Sequence, residues 1–206
     1  MKSILVCIVL VFSSFCSAQY NNELVPLSIV TEMTKTLKKQ NIDTYFYVNK
    51  TCLGETRIIK MNDGTNCFTS GNFSEYYLFW QKNDTTYISK ADNCGPFIKL
   101  KLDDTTMFNF FLKHKDAIQN NSVKKYEVAN PENAPTQRTK VHPCSQEFSF
   151  TTAMGTFTQK FDEFDLTNDS KQKNLNYEYN QQLKLIELEA MIDQIILETA
   201  DSLRRQ

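Results

Sequence analysis

The spacing of hydrophobic positions changes along the chain, and the changes divide it into elements. Leu27, Val30, Met33 and Leu37 recur at steps of three, three and four within residues 23–40, which predicts an amphipathic helix. Pro26 suits its first turn, and Lys38 and Lys39 fall in its last turn, where cations favour the helix dipole. The period then drops to two. In TYFYVNKTC, Phe46 and Val48 alternate with Tyr45 and Tyr47; TRIIKM and NCFTS follow, joined through Asp63-Gly64, a pair that tolerates the positive φ of a hairpin turn. EYYLFWQ is the most apolar run here and predicts a central strand, turning at Asn83-Asp84 and returning as TTYISK. PFIKLKL alternates Phe97, Lys99 and Lys101 with Ile98, Leu100 and Leu102. Short strands and tight turns in this order predict an antiparallel meander of five or six strands.

A helical period returns in residues 103–121, where Met107, Phe110, Phe111, His114 and Ile118 share one face and Asp103 or Asp104 is placed to cap. Residues 123–128 read as a strand. Residues 129–146, with three prolines and no apolar period, read as a loop, and 147–152 resume strand alternation through Phe148 and Phe150. Residues 156–165 fit both periods, since Phe157, Phe161 and Phe164 suit a helix while TFTQKF alternates. The last stretch predicts one long helix from about Asp169 to Arg205. It carries one stripe of Leu185, Leu188, Ile192, Ile195, Ile196 and Leu203, and a second of Ile186, Ala190 and Leu197. Unbroken, it would be roughly 56 Å long and overhang its own domain, unless the Asn-rich start frays or kinks. The fold class expected is therefore α+β, an antiparallel meander packed against the N-terminal and middle helices, with a long C-terminal helix.

The first residues change where this domain belongs. Lys2 precedes an apolar run from Ile4 to Phe12 and small residues up to Ser17-Ala18, the layout of a secretory signal cleaved after Ala18. SSFC is a poor lipobox, so Cys16 does not predict a lipid anchor. The expected division is 1–18 as signal peptide, 19–166 as a disulfide-stabilised α+β domain, and 167–206 as the helix, within the same domain or projecting. Without the signal, 22 basic side chains stand against 24 acidic ones, and no basic run exceeds two residues, which argues against a nucleic-acid partner. No later run is apolar enough to span a membrane. The protein is expected to be secreted or periplasmic.

Export gives the remaining cysteines a role. Cys52, Cys67, Cys94 and Cys144 are an even set in an oxidising compartment. Three pairings are possible, and the hairpin placement of the first two favours Cys52–Cys67 with Cys94–Cys144. Five N-x-S/T sequons, at Asn49, Asn72, Asn83, Asn120 and Asn168, mark surface turns if the source glycosylates.

Candidate chemistry is sparse. His142 and Cys144 could form an imidazole-activated thiolate, but a disulfide cysteine beside a turn is the simpler reading. With His114 and His142 as the mature histidines and no C-x-x-C spacing, neither a metal nor a cofactor is called for. Asp162, Glu163, Asp165 and Asp169 could supply an acid/base pair, against a plain reading as a solvated lead-in to the last helix. Phosphate loops, nucleophile elbows and zinc-protease motifs are absent. The aromatic positions Tyr45, Tyr47, Tyr77 (or Tyr76), Trp80 and Tyr87 fall in one meander and could leave an aromatic sheet face. Three functions follow in order. The first is an exported non-catalytic interaction protein that binds a protein partner or itself through its C-terminal helix, by way of Ile186, Ala190 and Leu197, and through the aromatic sheet face, an inhibitor or immunity protein being a special case. The second is a carrier holding a small ligand or glycan on the aromatic face. The third is a hydrolase using His142 and Cys144 or the acidic cluster.

Overall fold

The computed structural model describes residues 24–206; the expected signal peptide and its cleavage point lie outside them. The protein is α+β, an antiparallel sheet with helices on both faces. Helix α1 is Pro26–Lys39 and α2 is Thr106–Asn120; a short α3, Tyr177–Gln181, precedes α4, Lys184–Thr199. The strands are β1 Tyr45–Leu53, β2 Ile58–Lys60, β3 Asn66–Phe68, β4 Asn72–Lys82, β5 Thr85–Asp92, β6 Gly95–Pro96, β7 Leu100–Leu102, β8 Glu127–Val128, β9 Thr136–Gln137, β10 Cys144–Thr152 and β11 Gly155–Asp162.

The main sheet runs β11-β10-β1-β4-β5-β6, with β7 also paired to β5. It departs from a sequential meander at β1, which lies between β4 and β10, in register from Tyr45 opposite Thr151 to Cys52 opposite Cys144. The reason is visible in β1 itself. Phe46 and Val48 on one face and Tyr45 on the other are all buried, and a strand apolar on both faces needs neighbours and cover on both sides. β2 and β3 leave the sheet as a separate two-stranded ribbon. Residues 155–162 resolve as strand, with Phe157, Gln159 and Phe161 on one face, while Phe164 sits in the 3-10 turn Glu163–Leu166 and stacks on Tyr126 at 4.6 Å.

One face of the sheet holds the main core. Phe46, Val48, Phe79, Ile88, Phe148, Phe150 and Phe161 pack beneath Phe108, Phe111 and Ile118 of α2 and Leu185, Leu188 and Ile192 of α4. The buried stripe of α2 is rotated towards Phe108; Phe110 and His114 are half-buried, their rings 4.5 Å apart. Helix α2 starts on an Asx turn, in which Asp104 Oδ1 accepts from Thr106 N at 2.7 Å. The opposite face is covered by α1, whose Val30 and Leu37 pack with Tyr76, Leu78, Trp80 and Ala91.

The continuous 37-residue helix expected from the C-terminal pattern is not formed. Leu183 is extended, at φ −70 and ψ 138, and separates α3 from α4, which is about 24 Å long. Asn180, fully buried, enforces the break: its side chain accepts from Lys124 N and donates to Lys124 O and Asp165 O. Buried Asn174 similarly donates to Asp165 O. These bonds hold the Asn-rich start against residues 124–127 instead of letting it continue the helix.

The disulfides are Cys52–Cys144 and Cys67–Cys94, not the pairing expected from hairpin proximity. Cys52 and Cys144 face each other across β1 and β10, while Cys67 ties the β2–β3 ribbon to the turn after β5. Of the sequon asparagines, Asn72, Asn83, Asn120 and Asn168 are exposed, and Asn49 is half-buried in β1.

Candidate functional site

The α1 face of the sheet contains a groove of about 700 Å³. One wall is the C-terminal half of α1 (Met33, Thr36, Leu37, Gln40). The floor comes from β4 and β5, as Leu78, Trp80, Tyr87 and Ser89 all project to this face by strand alternation. Lys82, Asn83 and Thr85 of the β4–β5 turn close one end, and Ile98, Lys99 and Gln206 form the far wall. Asn83 and Asp84 have φ of 50° and 57°, the left-handed pair of a tight hairpin turn that brings Trp80 opposite Tyr87. Their rings stack, with centroids 5.4 Å apart and planes inclined by 14°.

The structure divides the five aromatic positions picked from sequence. Trp80 and Tyr87 line the groove. Tyr45 is buried beneath it with Leu37, Ile42 and Leu78, and Tyr47 lies further along the same face, 5.8 Å from Tyr76. Tyr77 is on the opposite face, packed into the main core beneath α4; Tyr76 is the residue that shares the groove's face. Burial, assisted by Tyr47 and Glu147, pushes the Tyr76 hydroxyl up to about 12, and burial raises Tyr77 further. Sequence reasoning did not single out Met33, Leu37, Lys82, Ser89 or Lys99 for the groove. Met33 and Leu37 were visible only as core positions of a helix, because nothing local says which strands that helix crosses.

The other candidates resolve into structural roles. The Cys144 sulfur is bonded to Cys52, so no thiolate stands beside His142. His142 is exposed, has a φ of 56° and lays its ring on Gly54, where a Cβ would come within 2.9 Å of Nδ1. Asp162 and buried Asp165 both accept from Lys125 Nζ, at 2.8 and 3.0 Å, and Asp165 also accepts from Tyr126 N. That is a scaffold for the 3-10 turn and the strand beside it. On the second stripe of α4, Ile186 packs against the main core, whereas Ala190 and Leu197 are exposed, Leu197 to 72%. Among the described residues no group of three His, Cys, Asp or Glu side chains is arranged to hold a metal, and no helix is long and apolar enough to cross a membrane.

The core face carries a row of paired charges at its rim. Arg205 grips Asp92 with two hydrogen bonds, at 2.8 and 2.5 Å, while Lys90 pairs with Glu75 and Lys50 with Asp193. Next to Lys50, Gln146 Nε2 donates to Glu189. Burial and the neighbouring Asp193 push the Glu189 carboxyl up to about 7, opposed by Lys50 and by the Gln146 bond.

Comparison with protein families, with curated proteins and with solved structures finds no match for this chain.

Proposed function

We propose that this is an exported, non-catalytic binding protein that carries a small flat ligand in the groove between α1 and the β4–β5 hairpin. The observation that carries the reading is the groove itself: a concavity of ligand size, floored by a stacked Trp-Tyr pair and walled by aliphatic side chains, with a few polar groups at its rim. Two disulfides fit an oxidising compartment, secreted or periplasmic, and the signal-like N-terminus supports the same route. Trp80 is the chain's single tryptophan, so its fluorescence reports on the groove alone. Screening small aromatic and glycan ligands should give a saturable change in Trp80 emission for one class, abolished by the groove-filling substitution Thr36→Phe. A response unchanged in that variant would place the ligand elsewhere and end this reading.

A second reading, a protein partner or second copy held by the outer stripe of α4, is supported by Leu197, a large apolar side chain left open to solvent beside Ala190. Ala190→Glu and Leu197→Glu keep the buried stripe intact and should abolish association measured by light scattering or partner capture. A wild-type protein that is monomeric and captures nothing that those variants lose would exclude it.

A further inference from the structure

We infer that the ligand class of this groove is an aromatic anion, a planar ring system bearing a carboxylate, sulfonate or phosphate; this rests on the groove being the binding site. The side-chain charge of the lining is one-sided. Lys82 and Lys99 are part of it, and no Asp or Glu side chain is. The register sets a third cation, Lys101, directly opposite Tyr87 and hence on the same face of the sheet. The chain has slightly more acidic than basic side chains, so this local excess does not follow from overall composition.

Pairing makes the contrast sharper. On the core face, Lys50 and Lys90 are each neutralised by a carboxylate. At the groove, Lys82 Nζ contacts only the neutral Gln40 Oε1 at 3.1 Å, and Lys99 Nζ lies 5.8 Å from the Tyr87 ring centroid. Among the described residues, none of Lys82, Lys99 and Lys101 is ion-paired. The aliphatic hydroxyls of the lining have already spent their protons: Thr36 donates to Glu32 O, Thr85 to Asn83 O and Ser89 to Phe97 O. The donors left for a ligand therefore include the ammonium groups, the Tyr87 hydroxyl and the rim amides of Asn83 and Gln40, a set that suits an anion. Beneath them, half-buried Tyr87 and Met33 and exposed Ile98, backed by the buried Trp80, Leu37 and Leu78, offer a surface for a flat apolar body. A cationic end above an aromatic floor recognises a molecule with a charged end and a planar one.

The test uses two dyes that share one ring framework, 1-anilinonaphthalene-8-sulfonate and its uncharged relative N-phenyl-1-naphthylamine. Binding to the intact, oxidised protein is read by energy transfer from Trp80, with near-UV circular dichroism to confirm that each variant is folded. The sulfonate is expected to bind at least tenfold more tightly than the neutral dye and to weaken with added salt. Lys82→Gln/Lys99→Gln, both at exposed positions, should cost the sulfonate at least fivefold and leave the neutral dye unchanged. Equal binding of the two dyes, indifferent to salt and to the lysine substitutions, would overturn the anion assignment while leaving the groove as a binding site. If neither dye receives energy from Trp80, or if Thr36→Phe leaves transfer intact, the groove reading fails and the inference falls with it.

Discussion

Phe46 shows how much one residue carries. It is fully buried, and its ring lies 5.1 Å from Phe79, 5.1 Å from Phe111, 5.4 Å from Phe150 and 5.8 Å from Phe108. It thus joins two neighbouring strands and α2, and Phe46→Ala should cost about 3–5 kcal/mol in urea unfolding, against roughly 1 kcal/mol for Phe46→Leu. Glu189 has a different signature. Its carboxyl is raised to about 7 and faces Asp193, Lys50, Gln146 and Glu163. Beside it, Gln146 Oε1 is buried without a partner among the described residues. Protonated Glu189 becomes a donor as well as an acceptor, which suits that lone oxygen. An acid whose pKa is raised on folding stabilises the protein fully below its unfolded pKa and loses that contribution as pH rises through the folded one. Stability should therefore fall by on the order of 2–3 kcal/mol between pH 4.5 and pH 8, and Glu189→Gln should flatten that fall. Equal pH slopes in the wild type and the variant would remove Glu189 from the account.

At the scale of elements, the disulfides cross-link parts that local pattern keeps apart. Cys52–Cys144 closes a separation of 92 residues and Cys67–Cys94 one of 27. The chain-entropy relation gives about 4.6 and 3.6 kcal/mol respectively. Replacing the first pair by serines should lower the denaturation midpoint more than replacing the second; the reverse order would mean that anchoring the β2–β3 ribbon matters more than loop closure. The same distinction between local and distant decides what could be read from sequence. Helix α1 was legible because Val30, Met33 and Leu37 repeat within one segment, and the β4–β5 hairpin because Asn83-Asp84 marks its turn. The pairing of β1 with β10 was not, since Tyr45 and Thr151 carry no mark of each other, and the true cysteine pairing depends on that register. The break before α4 was hidden for the same reason: Asn180 takes its partners from Lys124, 56 residues away. Half the groove was legible, as Trp80 and Tyr87 stand in an alternating pattern. The other half comes from α1 and from Lys99, which only the tertiary fold brings there.

Across the whole molecule, distant segments meet at the turn after β5, and the groove depends on that meeting. Leu24 N donates to Asn93 O, Cys94 is bridged to Cys67, and residues 204–206 lie along residues 96–98. There Ile98 N donates to Arg204 O, and Gln206 N donates to Pro96 O. Arg205 anchors this last segment. Its guanidinium packs 4.5 Å from the Phe97 ring centroid and makes both hydrogen bonds to Asp92, whose side chain is only 2% exposed. Removing one partner of a buried pair leaves the other charge without compensation, so Arg205→Ala should cost about 3–5 kcal/mol, more than loss of an exposed pair such as Lys35–Glu32. Arg205→Lys keeps the charge but not the two-pronged geometry, and should fall between. Because Gln206 and Ile98 belong to the groove wall, the effect should extend to binding. Arg205→Ala is expected to speed amide exchange at Ile98 and Gln206 and to weaken any ligand reported by Trp80, although Arg205 does not line the groove. Faster exchange with unchanged binding would show that the far wall is dispensable and that α1 with the β4–β5 hairpin is sufficient. Unchanged exchange would mean that the backbone bonds of residues 204–206 hold the segment without the ion pair.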